Sequence, residues 1–332
     1  MTKEPTPKLT GRMSGLMALL SGHLTSLRSP QLYAMIVEWL NRPSWSTKMV
    51  LGLVSATIHM RRAVRITRLK GRTFVSKLTF KRRYPHAATA GAAAPRIKSL
   101  LCPTRGRPES VRRFVESVRR TCSRPADVEI LFYVDDDDPT IGEYAVVVGR
   151  LKERFAEFKL VELVTGPPMS VSKSWNTLAQ KCSGSLLMMA NDDQLYIDYG
   201  WDYHLDKYVG ESRDEIFAMF FEDGQYPPDG GDFPIVSRRW YETLGYFTPG
   251  IFEFWYNEAW IFDVANRLQR IIRIPKVLVE HLHYSNYKAV LDDTYKRHRL
   301  NFEKSDRDYA LFERTGVERE AAAEKLRPLM VA

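Results

Sequence analysis

Two rhythms of apolar residues alternate through most of this chain. Short apolar runs stand at Ile97 to Leu101, Val128 to Val134, Phe158 to Val164 and Leu186 to Met189. A brief run with no polar face is how a strand buried on both sides of a parallel sheet reads. Between these runs, Val111, Phe114, Val115 and Val118 fall on one side of Glu109 to Arg120, the spacing of an amphipathic helix. Ile141 to Phe155 and the segment opening at Ser170 continue the pattern. Strand and helix in strict turn predict an α/β fold with a doubly wound sheet.

The apolar runs end in polar segments. The first runs into CPTRGRP (Cys102 to Pro108), the second into Asp135, Asp136, Asp137 and Asp138, and the fourth, LLMMANDD, into Asn191, Asp192 and Asp193. Ligands of open α/β sheets sit beyond the carboxyl ends of the strands, so these acids stand where a ligand would meet them. Neighbouring carboxylates repel unless something positive lies near, and a hard divalent cation meets that need. Ordinary capping of a turn or helix would also place Asp there. In TGPPMSVSKSWN, the free amides of a helix start and Lys173 favour an anionic ligand, while Ser170 equally suits an N-cap.

Further on, alternation in VLVEHLH puts Val277, Val279, His281 and His283 on one face of a strand, the histidines being either ligands or a polar strand end. Glu222 to Pro234, acidic and rich in Gly and Pro, predicts a mobile loop that either contacts an acceptor or merely connects. The aromatic stretch from Trp240 to Trp260 reads mostly as core. From Lys288 onward the pattern is that of surface helix, closing the structure.

In order and spacing, CPTRGRP, VDDDDP, the KSWN helix and the ANDDQ strand end resemble GT-A-fold, family-2-like glycosyltransferases. The resemblance runs on through Gly200 and Trp201, PIVSRRWYETLGYF and NEAWIFDVANRL to VEHLHY. It implies a Rossmann-like mixed sheet that binds a nucleotide-sugar donor through Pro103, Thr104, Arg105, Arg107, Lys173 and Asn176, with Asp135 or Asp136 on the base. The metal-and-diphosphate motif of the family falls on Asn191, Asp192 and Asp193. Asn replaces its first carboxylate, so most of the ligand duty moves to Asp193, joined by His281 or His283, for Mn²⁺ or Mg²⁺. Glu258, with Asp263 a turn on, matches the catalytic base. Trp255 is the expected acceptor contact.

Charge sets the first part of the chain apart. Residues 1–95 carry 16 Lys or Arg against two acids, Glu4 and Glu38, a surplus of +14 that leaves the remainder at −5. This predicts a basic N-terminal extension and linker, residues 1–95, ahead of a catalytic domain, 96–332. Within the extension Gln31 to Leu40 reads as a helix, and Ala87 to Pro95 as the linker. Apolar Met49 to Met60 is followed by Arg61, Arg65, Arg68 and Arg72, which share a face if the segment is helical. Phe74 to Phe80 would also alternate as a strand. The basic face suits an anionic membrane surface, nucleic-acid phosphates, or an acidic protein surface.

Cys102, Cys122 and Cys182 stand too far apart for a disulfide framework or a CxxC zinc site, and no run reaches the roughly 18 apolar residues of a membrane span. The expectation is a cytoplasmic enzyme, peripheral at the inner membrane face if the basic region binds lipid. It would transfer a sugar from a nucleotide diphosphate to a hydroxyl of a glycan, lipid-linked glycan or modified DNA, with inversion. A non-catalytic nucleotide-sugar or nucleic-acid binding module and a nucleotidyltransferase are the alternatives.

Overall fold

The computed structural model describes residues 45–85, 87, 96–225, 231–283, 288–289 and 302–331. The Gln31 to Leu40 helix and nearly all of the Ala87 to Pro95 linker lie outside them. The chain forms two compact units, one of residues 1–70 and 282–296 and the other of 71–281 and 297–332.

In the first unit the described residues are mainly the opening part of helix α1 (Trp45–Arg83). Leu53, Met60, Val64 and Ile66 are exposed on it alongside Arg61 and Arg68, and Arg62 donates to the Ala289 carbonyl. Among the described residues no helix is long and apolar enough to cross a membrane.

The second unit holds the end of α1 and a single sheet. Phe74 to Phe80 is helical, not a strand. Arg72 is spent inside the unit, its Nε and Nη2 donating at 2.9 and 2.6 Å to Asp198, so it does not belong to a free basic face. Phe80 packs on Tyr199 and Tyr203 and against Gly200. A Cβ at Gly200 would lie 2.2 Å from the Phe80 ring, and its φ of +81° also calls for glycine.

The elements after residue 96 come in the expected alternation: β1 (Lys98–Pro103), α2 (Pro108–Thr121), β2 (Val128–Asp135), α3 (Ile141–Arg154), β3 (Leu160–Gly166), α4 (Val171–Lys181) and β4 (Leu186–Met189). Less regular elements come next: β5 (Gln194–Tyr196), α5 (Trp201–Glu211), β6 (Ala218–Glu222), β7 (Ile235–Ser237), α6 (Arg238–Leu244), α7 (Asn257–Arg267) and β8 (Ile271–His281). Helices α8 (Phe302–Arg314) and α9 (Gly316–Leu326) close the unit.

The sheet order is β3-β2-β1-β4-β7-β6-β8-β5. The first four strands are mutually parallel, whereas β7 is antiparallel to both β4 and β6 and β5 is antiparallel to β8. This is the mixed sheet that the resemblance implies.

Alternate residues of the central strands feed two cores, as a pleated strand requires. Leu100, Ile130, Phe132 and Met188 pack with α2, α3 and α5 on one face. Leu101, Leu131, Tyr133 and Met189 pack with α4, α6, α7 and α9 on the other. A sheet covered on both faces can meet a ligand only at its strand ends, which is where the polar motifs stand.

Candidate active site

The end of β1 is welded to the end of β4 by a closed ring of hydrogen bonds. Thr104 Oγ1 donates to Asp192 Oδ2 at 2.5 Å, and Arg107 Nη1 reaches Asp192 Oδ1 at 3.2 Å. Behind them, Tyr144 Oη accepts from the Arg107 amide at 2.7 Å and lies 2.9 Å from Thr104 Oγ1, so its proton points to Thr104. Burial pushes the Asp192 carboxyl up to about 6 although Arg107 opposes it, and neighbouring Asp193 adds to the rise. Both Asp192 oxygens are thus engaged by the protein, and its work is to shape the turn after β1. Tyr144 gave no sign in the sequence beyond its place on the buried face of α3.

At the end of β2 the four acids divide their labour. Arg105 Nη1 bonds Asp135 at 2.6 Å and also reaches Asp137, while Asp136 is exposed. Burial raises the Asp135 pKa, against the pull of Arg105. Asp138 is buried and structural: it accepts from the Gly106 and Thr140 amides, both at 2.7 Å. The carboxylate run therefore holds CPTRGRP in place and presents Arg105, Asp135 and Asp136 at the rim.

A different cluster forms where β5 meets β8. Gln194 pairs with His281, which sets Asp193, one residue before β5, beside the imidazole. His281 Nε2 stands 3.5 Å from Asp193 Oδ2, and its Nδ1 is 3.0 Å from Asp232 Oδ2. Burial works against the imidazolium, but the two carboxylates outweigh it and raise the His281 pKa to about 9. Asp232 was missed in the sequence, where it is one more acid in a Gly- and Pro-rich loop. Asn191 serves the tight turn between β4 and β5, exchanging bonds with Gln194 at 3.2 Å.

Strand β8 ends at His281, so the strand alternation does not carry on to His283. Asn176 is also accounted for otherwise. Its Oδ1 accepts from the Phe247 and Thr248 amides and its Nδ2 donates to the Thr248 carbonyl at 2.8 Å, which locks the turn before Gly250. Lys173 is exposed in the first turn of α4, whose N-cap is Ser170, as one of the two expectations had it.

Glu258 is partly buried in the first turn of α7, which starts from Tyr256 at a φ of 66°. Asp263 makes structural ion pairs: its Oδ2 accepts from Arg267 Nε at 2.8 Å and from the buried Arg319 Nε at 2.7 Å, clamping α9 to α7. The loop ahead of α7 is held from α8 by Asp308, which has no exposed surface. Its carboxylate accepts the amides of Glu253, Phe254 and Trp255 at 3.1, 2.9 and 3.1 Å, three successive donors forming an anion nest. The tail expected to be plain surface helix thus shapes the segment that carries Trp255 and leads to Glu258. In the aromatic stretch, Trp240, Phe247, Phe252 and Trp260 are core, as expected.

Among the described residues no three acidic, His or Cys side chains make a ready metal cage. A carboxylate and an imidazole 3.5 Å apart still fit a small divalent ion, because such ions are commonly held by one or two protein groups with substrate phosphates and water completing the shell.

No protein-family model and no curated protein matches this chain. Among solved structures it is similar to the mannosyltransferase PcManGT from Pyrobaculum calidifontis in complex with GDP-Man and Mn²⁺, at 14% identity over 68% of this chain and 70% of that one, TM-score 0.47. It is also similar to S. aureus TarS 1-349 in complex with UDP, at 9% identity over 55% of this chain and 60% of that one, TM-score 0.46. The same protein in complex with UDP-GlcNAc matches at 9% identity, TM-score 0.45, over 55% of this chain and 58% of that one.

Proposed function

We propose that this chain is a glycosyltransferase that passes a sugar from a nucleotide diphosphate to an acceptor hydroxyl with inversion. The observation that carries the reading is the approach of Asp193 and His281 to 3.5 Å at the carboxyl end of β4, next to the β1 and β2 ends that bear Arg105 and Asp135. Asp135 or Asp136, with Pro103, Thr104 and Arg105, takes the nucleotide. Asp193 and His281 hold Mn²⁺ or Mg²⁺, which when bound neutralises charge developing on the departing diphosphate.

The reaction breaks the bond from the anomeric carbon to the diphosphate oxygen and makes one to the acceptor oxygen. Glu258 accepts the acceptor's proton, as a single displacement requires one base and no protein nucleophile. Trp255 offers a flat apolar face to the acceptor. The exposed Arg61 and Arg68 of α1 serve an anionic partner, for which a membrane surface is the favoured choice, since exposed Met60, Val64 and Ile66 lie among them.

The test is a thermal-shift panel of UDP, GDP, CDP and dTDP sugars, each with Mn²⁺ or Mg²⁺, on wild type and Asp193→Ala. One donor should raise the wild-type Tm, with metal, and leave Asp193→Ala unmoved. Folded wild-type protein that responds to none of them would sink the proposal.

A further inference from the structure

Asp232 lies outside every motif in the sequence, yet it makes the shorter of the two carboxylate contacts to His281, 3.0 Å to Nδ1. We infer that Asp232 is the positioning residue of the cation site: it fixes the ring and tautomer of His281 and thereby links Asp223 and Phe233, its own neighbours, to metal binding. The inference rests on the proposed metal role of Asp193 and His281.

An imidazole can ligate only through a nitrogen that carries no proton, and which nitrogen that is depends on the bond made by the other. A carboxylate accepting from Nδ1–H leaves the Nε2 lone pair facing Asp193. Carboxylate–imidazole–metal chains of this kind recur because they both orient the ring and strengthen it as a donor.

Asp232 itself is held in place. Buried Asp223 accepts the Asp232 amide at 3.0 Å through Oδ2 and the Gln225 amide at 2.7 Å through Oδ1, while its carbonyl accepts the His281 amide at 2.9 Å. One residue thus fixes the two flanks of the loop and the end of β8. Phe233, at a φ of 60°, then lays its ring edge-on to the imidazole with centroids 4.9 Å apart. Any movement of residue 232 therefore reaches His281 directly, through the Nδ1 contact.

The experiment titrates Mn²⁺ into the full chain, alone and with UDP or GDP, and monitors free Mn²⁺ by electron paramagnetic resonance. Circular dichroism and Tm report folding. Asp232→Ala should weaken Mn²⁺ binding about 10- to 100-fold, the usual effect of removing such a carboxylate. Asp232→Asn should recover much of it, since its amide oxygen accepts the same Nδ1–H. Above about pH 9, where the metal-free imidazole is neutral, the ¹⁵N shifts of His281 should report the Nδ1–H tautomer in wild type and a mixture in Asp232→Ala. If Asp232→Ala binds Mn²⁺ as wild type does while Asp193→Ala has lost it, the positioning role is overturned and the metal reading stands. If wild type binds no Mn²⁺ under any of these conditions, both fall. Equal loss in the Asn and Ala variants, matched by a common drop in Tm, would make Asp232 structural only and overturn the inference.

Discussion

In the parallel half of the sheet the acids at the strand ends, the exposed Asp136 apart, are committed to the protein itself: Asp135 and Asp137 to Arg105, Asp138 to two amides, Asp192 to Thr104 and Arg107. On the mixed side, where β5 pairs with β8, Asp193 and Asp232 instead converge on one imidazole. The first arrangement is a scaffold whose charges are already balanced by fixed donors. The second gathers two anions around a single titratable group, and exchanging its proton for a divalent cation would improve the balance. Two adjacent residues of one motif, Asp192 and Asp193, therefore fall on opposite sides of the division.

The contrast is broken most directly by Asp193→Ala, for which we expect about a thousandfold loss of kcat/KM with folding intact by circular dichroism. Retained transfer would remove the cation from the mechanism. Glu258→Gln should cost about a hundredfold or more in kcat while leaving the donor-induced Tm shift unchanged, as loss of a proton acceptor does.

Proton and metal should compete at His281. Its pKa in the fold is raised from 6.5 to about 9, with the carboxylates outweighing burial, so its contribution to stability is complete below pH 6.5 and is lost as pH rises through about 9. Metal-free protein should therefore lose Tm over that window, whereas Mn²⁺ affinity should rise about tenfold per pH unit from 6 to 8, because the bound imidazole must be neutral. A flat affinity profile would place the metal elsewhere.

On the scaffold side, Thr104→Val leaves Asp192 and Tyr144 short of a partner and should lower stability by about 1–3 kcal/mol in urea unfolding. Its Mn²⁺ affinity should stay near that of wild type. Asp263→Asn is expected to have the smallest effect on catalysis, within about twofold in kcat. The weakened clamp to Arg267 and Arg319 should appear as a stability loss of about 1 kcal/mol.

The two halves also differ in how much of them the sequence disclosed. Strands β1 to β4 are short runs between amphipathic helices, and β1, β2 and β4 are covered on both faces, so local pattern sufficed to place them and the polar segments at their ends. Strands β5 and β7 have three residues each, too few for any period to register. Asp232, Tyr144 and Asp308 act through partners 49, 40 and about 54 residues away, and nothing local announces such pairings. The same blindness hid the protein partners of other candidates. Asn176 and Asp263 have suitable chemistry at suitable places, but Thr248, Arg267 and Arg319 had already claimed them.

The Asp308 nest has a consequence for how the protein comes into being. Its three amides, at Glu253 to Trp255, precede the carboxylate that satisfies them by 55, 54 and 53 residues. During synthesis, which runs from the N-terminus, β1 to β4 and their acids can settle while this segment still lacks its anchor. The side assigned to the acceptor is thus the last to become competent. A nascent chain stopped between residues 260 and 307 would have its parallel strands in place and the amides of Glu253 to Trp255 still without the carboxylate that gathers them.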